Sequence, residues 1–152
     1  MVAVVLQRTT ASDPRFGSLV VAIDTELRAR YGAVQSVYVP LNLIGDDTPV
    51  VLAADETGAA IGCGSFRPYD ATSVEIKRMY VAPAARRRGI ASALLGELEA
   101  WARERGFSAA VLETGTGQPE AVALYERCGY VHVEQFPPYV GLPLSVCMRK
   151  TL

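Results

Sequence analysis

Apolar residues recur along this chain at two spacings, and the places where the spacing changes mark out its elements. Between Asp13 and Tyr31, the residues Phe16, Leu19, Val20, Ile23 and Leu27 fall at three- and four-residue steps, which predicts a helix with one buried stripe. Ile90, Leu94, Leu98 and Trp101 step by four, four and three. They predict a second amphipathic helix of about four turns or more, closed by Arg103, Arg105 and Gly106. A third helix begins at Pro119, whose missing N–H would have no partner at a first helical position. Ala121, Leu124, Tyr125 and Cys128 share one of its faces, and Gly129 stops it.

Shorter apolar or alternating runs read as strands: Val2–Arg8, Val50–Ala54, Ala59–Phe66, Ser73–Val81, Ser108–Thr114, then "YVHVEQ" and "LSVCMRK". Asp55 to Gly58 suits a hairpin turn. The stretch "YGAVQSVYVPLNLIGDDTP" is punctuated by Gly and Pro and reads as a short helix or a loop. The resulting order, β-α-(α)-β-β-β-α-β-α-β-β, predicts an α/β fold with a mixed sheet and helices on both faces.

Composition narrows the class. A chain of 152 residues without repeats or linkers, half hydrophobic and one-fifth charged, is expected to form a single domain over residues 1–152. A net charge of −1 argues against a general nucleic-acid binder, which needs a broad cationic excess. No run approaches the ~20 apolar residues of a membrane span. Cys63, Cys128 and Cys147 have no metal-ligand spacing, and His132 is the only histidine, so no metal centre is expected. Reduced thiols and the lack of a secretory signal point to the cytoplasm.

One stretch does not fit a plain helix start. "RRRGIASALL" (Arg86–Leu95) puts three cations at a helix N-terminus, where each costs about 0.3–1 kcal/mol when exposed. It also supplies no Ser, Thr, Asp or Asn as a cap. Either this is a solvated basic turn, or an anion completes it. An anion would accept from the unpaired N–H groups, reverse the sign of the arginine interactions, and approach closely over Gly89 and Ala91. The Gly-Lys-Ser/Thr of a Walker loop is absent.

Arg86-x-x-Gly89-x-Ala91 resembles the Q/R-x-x-G-x-G/A signature of the GNAT (Gcn5-related) N-acetyltransferase superfamily, which binds the pyrophosphate of acetyl-coenzyme A. "VEIKRMYVAPAARRRGIASALL" is similar to that family's fourth strand and third helix, and "PEAVALYERCGY" to its fourth helix, so the resemblance runs from about Val74 to Tyr130. It implies a central mixed sheet of about seven strands, flanked by about four helices and splayed between the strands at 74–81 and 109–114. It also implies an acetyl-CoA-dependent N-acetyltransferase working by direct transfer in a ternary complex, cytoplasmic, with dimers common in the family.

The resemblance further assigns residues. Met79, Tyr80 and Val81 would border the pantetheine arm, with the Met79 N–H as oxyanion donor. Arg86, Arg87, Arg88, Gly89, Ile90, Ala91 and Ser92 would hold the phosphates. Gln118 stands where many members carry Asn, one methylene shorter. Tyr125 matches the family's general acid, its other role being core packing. Glu75 matches a general base of the family's histone acetyltransferases; alternatively it orients the amine, or pairs with Lys77. Even spacing along a strand would put Glu75, Lys77, Met79 and Val81 on one face. Glu113, Tyr38, Tyr80 and Tyr139 are candidates for the acceptor border. The expected acceptor is a primary amine of a small molecule; a protein N-terminus or lysine, or a non-catalytic acyl-CoA sensor, are the alternatives.

Overall fold

Asp13 shows how local chemistry starts the first helix. In the computed structural model, which describes residues 3–152, the Asp13 carboxylate accepts the Arg15 N–H at 2.9 Å and Pro14 takes the first helical position. Losing such a cap destabilises a helix by about 0.5–2 kcal/mol. The helix, α1 (Pro14–Tyr31), buries Phe16, Leu19 and Ile23, the predicted stripe.

The strand before it, β1 (Val5–Thr10), starts later than the spacing suggested and runs to Thr10, because it pairs with Pro49–Ala54 along its whole length. Val2, assigned above to this strand, lies outside the described residues. The segment after α1 resolves into two tight turns around the single-turn helix α2 (Gln35–Tyr38).

The remaining elements are β2 (Pro49–Ala54), β3 (Ala60–Pro68), β4 (Ser73–Val81), α3 (Ile90–Glu104), β5 (Ala109–Gly115), α4 (Pro119–Arg127), β6 (Val131–Val133) and β7 (Ser145–Thr151). They form a seven-stranded mixed sheet in the order β1-β2-β3-β4-β5-β7-β6, in which only β4 and β5 run parallel. On one face α1 packs Phe16, Leu19 and Ile23 against Val50, Leu52 and Cys63. On the other, α3 and α4 pack Leu94, Leu95, Leu98 and Tyr125 against Val51, Phe66, Ile76, Leu112 and Met148. Cys63, Cys128 and Cys147 are unpaired. No helix among the described residues is long and apolar enough to cross a membrane.

Two irregularities position the site. Pairing between β4 and β5 runs from Ser73/Ala109 to Ile76/Leu112 and then stops, so the later residues of both strands diverge. At the same level β4 bulges against β3. Ser65 faces Lys77 and Cys63 faces Tyr80, leaving Gly64 opposite both Arg78 and Met79, and Arg78 adopts a left-handed φ of 58°.

The extra residue reverses the alternation of side chains beyond it. The even-spacing expectation for Glu75, Lys77, Met79 and Val81 is therefore corrected. Met79 and Val81 pack on the α3 face beside Val74 and Ile76. Arg78 turns toward α1 and pairs with Asp24 at 2.9 Å, and Tyr80 packs beside Ile23 and Leu52.

Candidate active site

The start of α3 is open in the way its sequence suggested. Gly89 is the N-cap residue at φ 77°, and no side chain caps the helix. The first intrahelical bond is the Ala93 N–H to the Gly89 carbonyl at 3.1 Å. The N–H groups of Gly89, Ile90, Ala91 and Ser92 have no acceptor among the described residues and are available to an anion. Arg87 and Arg88 are exposed beside it, and nothing lies within 4 Å of where a Gly89 Cβ would point. Arg86 behaves differently. Its Nη2 donates to both Glu26 oxygens at 2.8 and 3.1 Å, its Nε donates to the Val81 carbonyl at 2.8 Å, and its guanidinium covers the Tyr80 ring. These residues fit a pyrophosphate: backbone donors, open space, and two free cations with a third held in reserve by a carboxylate.

Where β4 and β5 part, a cleft of about 130 Å³ opens, lined from α1, α2, β4, β5 and α4. Met79, Tyr80, Gln118 and Tyr125 line it; Val81 and Ile90 do not, being buried in the α3-side core. Tyr125 belongs both to the core and to the cleft wall. Its ring packs edge-on to Tyr130, while its hydroxyl makes no hydrogen bond with the described residues. Burial pushes that hydroxyl's pKa up, so it stays protonated. Gln118 Oε1 accepts from the Tyr31 hydroxyl at 3.3 Å. Tyr31, which the sequence did not single out, lies so close over Gly115 and Gly117 that a side chain at either would collide with it. Arg30 adds a bond to the Gly117 carbonyl at 3.0 Å and an ion pair to Glu120. The end of α1 thus closes one wall of the cleft.

At the other end stand two carboxylates in different surroundings. Glu75 is 2% exposed and does not line the cleft. Its Oε1 accepts from Arg67 at 3.2 and 3.3 Å; its Oε2 accepts from the Tyr139 hydroxyl at 2.6 Å and lies 3.5 Å from Lys77 Nζ. Glu113 does line the cleft. Its pKa is raised to about 7, chiefly by burial; the Ser145 hydroxyl, donating at 2.5 Å, and the Lys77 charge pull it down, while the Glu75 charge pushes it up. Tyr38 also lines the cleft, its hydroxyl 3.3 Å from Ser145 Oγ. Tyr139 instead packs behind it, against Glu75 and Lys77.

Lys77, Gln35, Asn42 and Glu26 join the cleft without having been singled out as site residues. Only Lys77 left a trace, as a cation two positions from Glu75 in an otherwise buried strand. Ser92 lies at the first turn of α3 with its Oγ 3.7 Å from Cys128 Sγ. His132 is exposed on β6 beside Glu126, away from the cleft.

Residues 18–130 match the model of the acetyltransferase (GNAT) family. A relative from Azospirillum brasilense, named IAA acetyltransferase, is 35% identical over 135 residues, covering 88% of each chain. A structure from Klebsiella pneumoniae, assigned as an acyl-CoA N-acyltransferase, superposes with a TM-score of 0.82 at 32% identity, over 98% of this chain and 97% of that one. A GNAT family acetyltransferase from Elizabethkingia anophelis, solved with acetyl-CoA bound, shares the fold at a TM-score of 0.70 and 20% identity, over 98% of each chain.

Proposed function

The chain belongs to the acetyltransferase (GNAT) family and is an acyl-CoA-dependent N-acetyltransferase, and we propose that it moves an acetyl group from acetyl-CoA directly onto the primary amine of a small molecule. One observation carries this reading. The parting of β4 from β5 beyond Ile76 and Leu112 brings Glu113 and Tyr125 into one cleft beside β4 and the uncapped start of α3. Support for a small acceptor comes from the walls of that cleft, since α1, α2 and the residue before β7, Leu144, all enclose it.

Each residue then has a task. The α3 N–H groups from Gly89 to Ser92, with Arg87 and Arg88, hold the pyrophosphate, and Arg86 joins them on release from Glu26. Bound acetyl-CoA supplies an activated thioester carbonyl. The Met79 N–H, on the strand segment that β5 leaves unpaired, is the donor for the carbonyl oxygen, a role worth about 2.7–4 kcal/mol. Glu113, with a pKa of about 7, takes the proton that the ammonium must lose before it can attack. A C–N bond forms as the C–S bond breaks, and the Tyr125 hydroxyl gives its proton to the leaving sulfur. The second proton on the new amide nitrogen returns to Tyr125 through solvent, and Glu113 releases the first to bulk water, which restores both groups.

Glu75 fits this scheme as a positioning residue. Enclosed by Arg67, Lys77 and Tyr139, its carboxylate holds Lys77 at the cleft edge, whereas Glu113 lines the cleft itself; this supports Glu113 as the base.

The test is a thermal melt with acetyl-CoA followed by thiol release with a panel of amines. At a hundred times its dissociation constant the ligand adds about 2.7 kcal/mol of stability. An absent shift refutes the donor site, and a shift without thiol release from any amine points to a sensing module instead.

A further inference from the structure

The acceptor end of the cleft presents polar side chains that bond to no other group among the described residues. Gln35 is 4% exposed and lines the cleft, yet its side-chain amide makes no hydrogen bond with the described residues. Its amide opens to the cleft rather than being sealed in the core, so both its donor and its acceptor are available to a ligand. Asn42, also lining the cleft, is likewise unbonded through its amide. Its neighbour Leu43 accepts from Arg67 through its carbonyl at 3.3 Å, which sets Asn42 beside the Arg67–Glu75–Lys77 cluster.

Lys77 is 7% exposed and reaches the same cleft. Its ammonium donates to the Tyr139 hydroxyl at 2.9 Å and stands 3.5 Å from Glu75, leaving a third N–H unassigned.

Charge adds a constraint. The cluster contains two cations, Arg67 and Lys77, and two carboxylates, Glu75 and Glu113, so it is neutral when Glu113 is ionised. An incoming ammonium leaves one uncompensated positive charge, and passing its proton to Glu113 keeps that charge in place. In a low-dielectric cleft such an excess is unfavourable unless the ligand brings the missing anion. A polyamine would worsen it.

Extending the pairing of Ile76 with Leu112 by one step makes Lys77 and Glu113 neighbours across the start of the gap, with strands about 5 Å apart before they diverge. That distance is within reach of one small molecule bearing both charges.

We propose that the acceptor is an amino acid, its carboxylate held by Lys77 with the Gln35 and Asn42 amides and its amine presented to Glu113. This rests on the acetyltransferase reading above and narrows its substrate class. It also gives the buried Glu75–Tyr139 pair a purpose, since together they fix the Lys77 ammonium at the cleft wall.

The experiment compares matched acceptors by thiol release: an amino acid, its carboxamide, and the amine lacking the carboxyl carbon, for glycine, a large apolar and a polar side chain. At least one amino acid is expected to exceed both partners in kcat/KM by tenfold or more. Lys77→Met and Gln35→Leu should each reduce that ratio toward one. Melting curves identify a variant that fails to fold, and Gln35→Leu keeps the test open if Lys77→Met does. Calorimetry provides a readout apart from turnover: the N-acetyl amino acid should bind more tightly than its amide, and less so in either variant. Carboxamides or simple amines that match every amino acid, or a preference that survives in the folded variants, would overturn the proposal while leaving the acetyltransferase intact. Thiol release from no amine at all would remove the reading on which it rests, and the proposal with it.

Discussion

Gly64 lies directly beneath Met79: a methyl group in place of its hydrogen would overlap the Met79 sulfur and come within 2.7 Å of Leu98 Cδ1. The glycine is opposite the bulge that turns Met79 toward α3, and Leu98 is fully buried and has little room to yield. Gly64→Ala is therefore expected to overpack this point, at about 1–3 kcal/mol, lowering Tm by about 2–4 °C for each kcal/mol in a chain of this size. Because Met79 lines the cleft and its N–H is the proposed oxyanion donor, acetyl-CoA affinity should fall as well. Thermal melts and calorimetry check both; an unchanged variant would show that Met79 is not set by Gly64.

The position of Glu113 makes the reaction sensitive to pH. With a pKa of about 7, kcat/KM for an amine should rise with pH through that value. Glu113→Gln should abolish this limb and slow turnover by about 10²–10⁴-fold. Stability supplies an independent check. Below about pH 4.5, the ordinary value, the carboxyl is protonated in both states; between 4.5 and 7 the unfolded chain loses the proton first, so folding weakens across that window. Glu113→Gln should melt higher than the parent at pH 7.5 and show no such decline.

Much of this geometry was legible and some was not, for physical reasons. The stripes of α1 and α3, Pro119 opening α4 and the succession of strands and helices along the chain all follow from short-range spacing, which reports directly on the local backbone. The bulge at Arg78 left no such mark, because a left-handed residue is usually announced by Gly or Asn and here it is an arginine held by Asp24. That one inserted residue moved Met79 to the opposite face from Glu75 and Lys77. The different surroundings of Glu75 and Glu113 were hidden for a related reason. Only the long-range placement of Arg67 and Tyr139 encloses the first, while the second lines the cleft where β4–β5 pairing ends.

Tyr125 is expected to separate chemistry from binding. Its hydroxyl has no partner among the described residues, and its ring is anchored in the core by Tyr130. Tyr125→Phe keeps that packing and removes the only proton the ring can give. Turnover should drop by about 10²–10⁴-fold, with the acetyl-CoA dissociation constant within about twofold of the parent, a difference under 0.5 kcal/mol. Retained turnover would assign protonation of the sulfur to solvent.

Glu26 holds the Arg86 guanidinium that the proposed phosphate site would use. The bidentate pair is partly exposed, with about a third of each side chain open to solvent, so it contributes roughly 0–1 kcal/mol to stability. Replacing Glu26 by Gln frees the guanidinium and removes a negative charge near an anion site. Glu26→Gln should bind acetyl-CoA more tightly by severalfold, with a steeper loss of affinity on added salt as more of the attraction becomes ionic. Weaker binding would mean that Glu26 serves chiefly to hold Arg86 in place.

The unpaired N–H groups at the start of α3 supply the most direct test of the donor site. Gly89 to Ser92 precede the first intrahelical bond and face open space, whereas Leu94, Leu95 and Leu98 of the same helix are buried against the sheet. Without ligand, amide exchange should be fast over the first turn and slow over the rest. Acetyl-CoA should slow exchange at Gly89 to Ser92, because a bound phosphate accepts from those groups and must leave before they open. Inorganic pyrophosphate should protect the same amides at higher concentration, while a pantetheine thioester lacking the pyrophosphate should not. Protection confined to β4 and β5, with the first turn of α3 unchanged, would place the phosphates elsewhere and return the three arginines to a solvated basic turn.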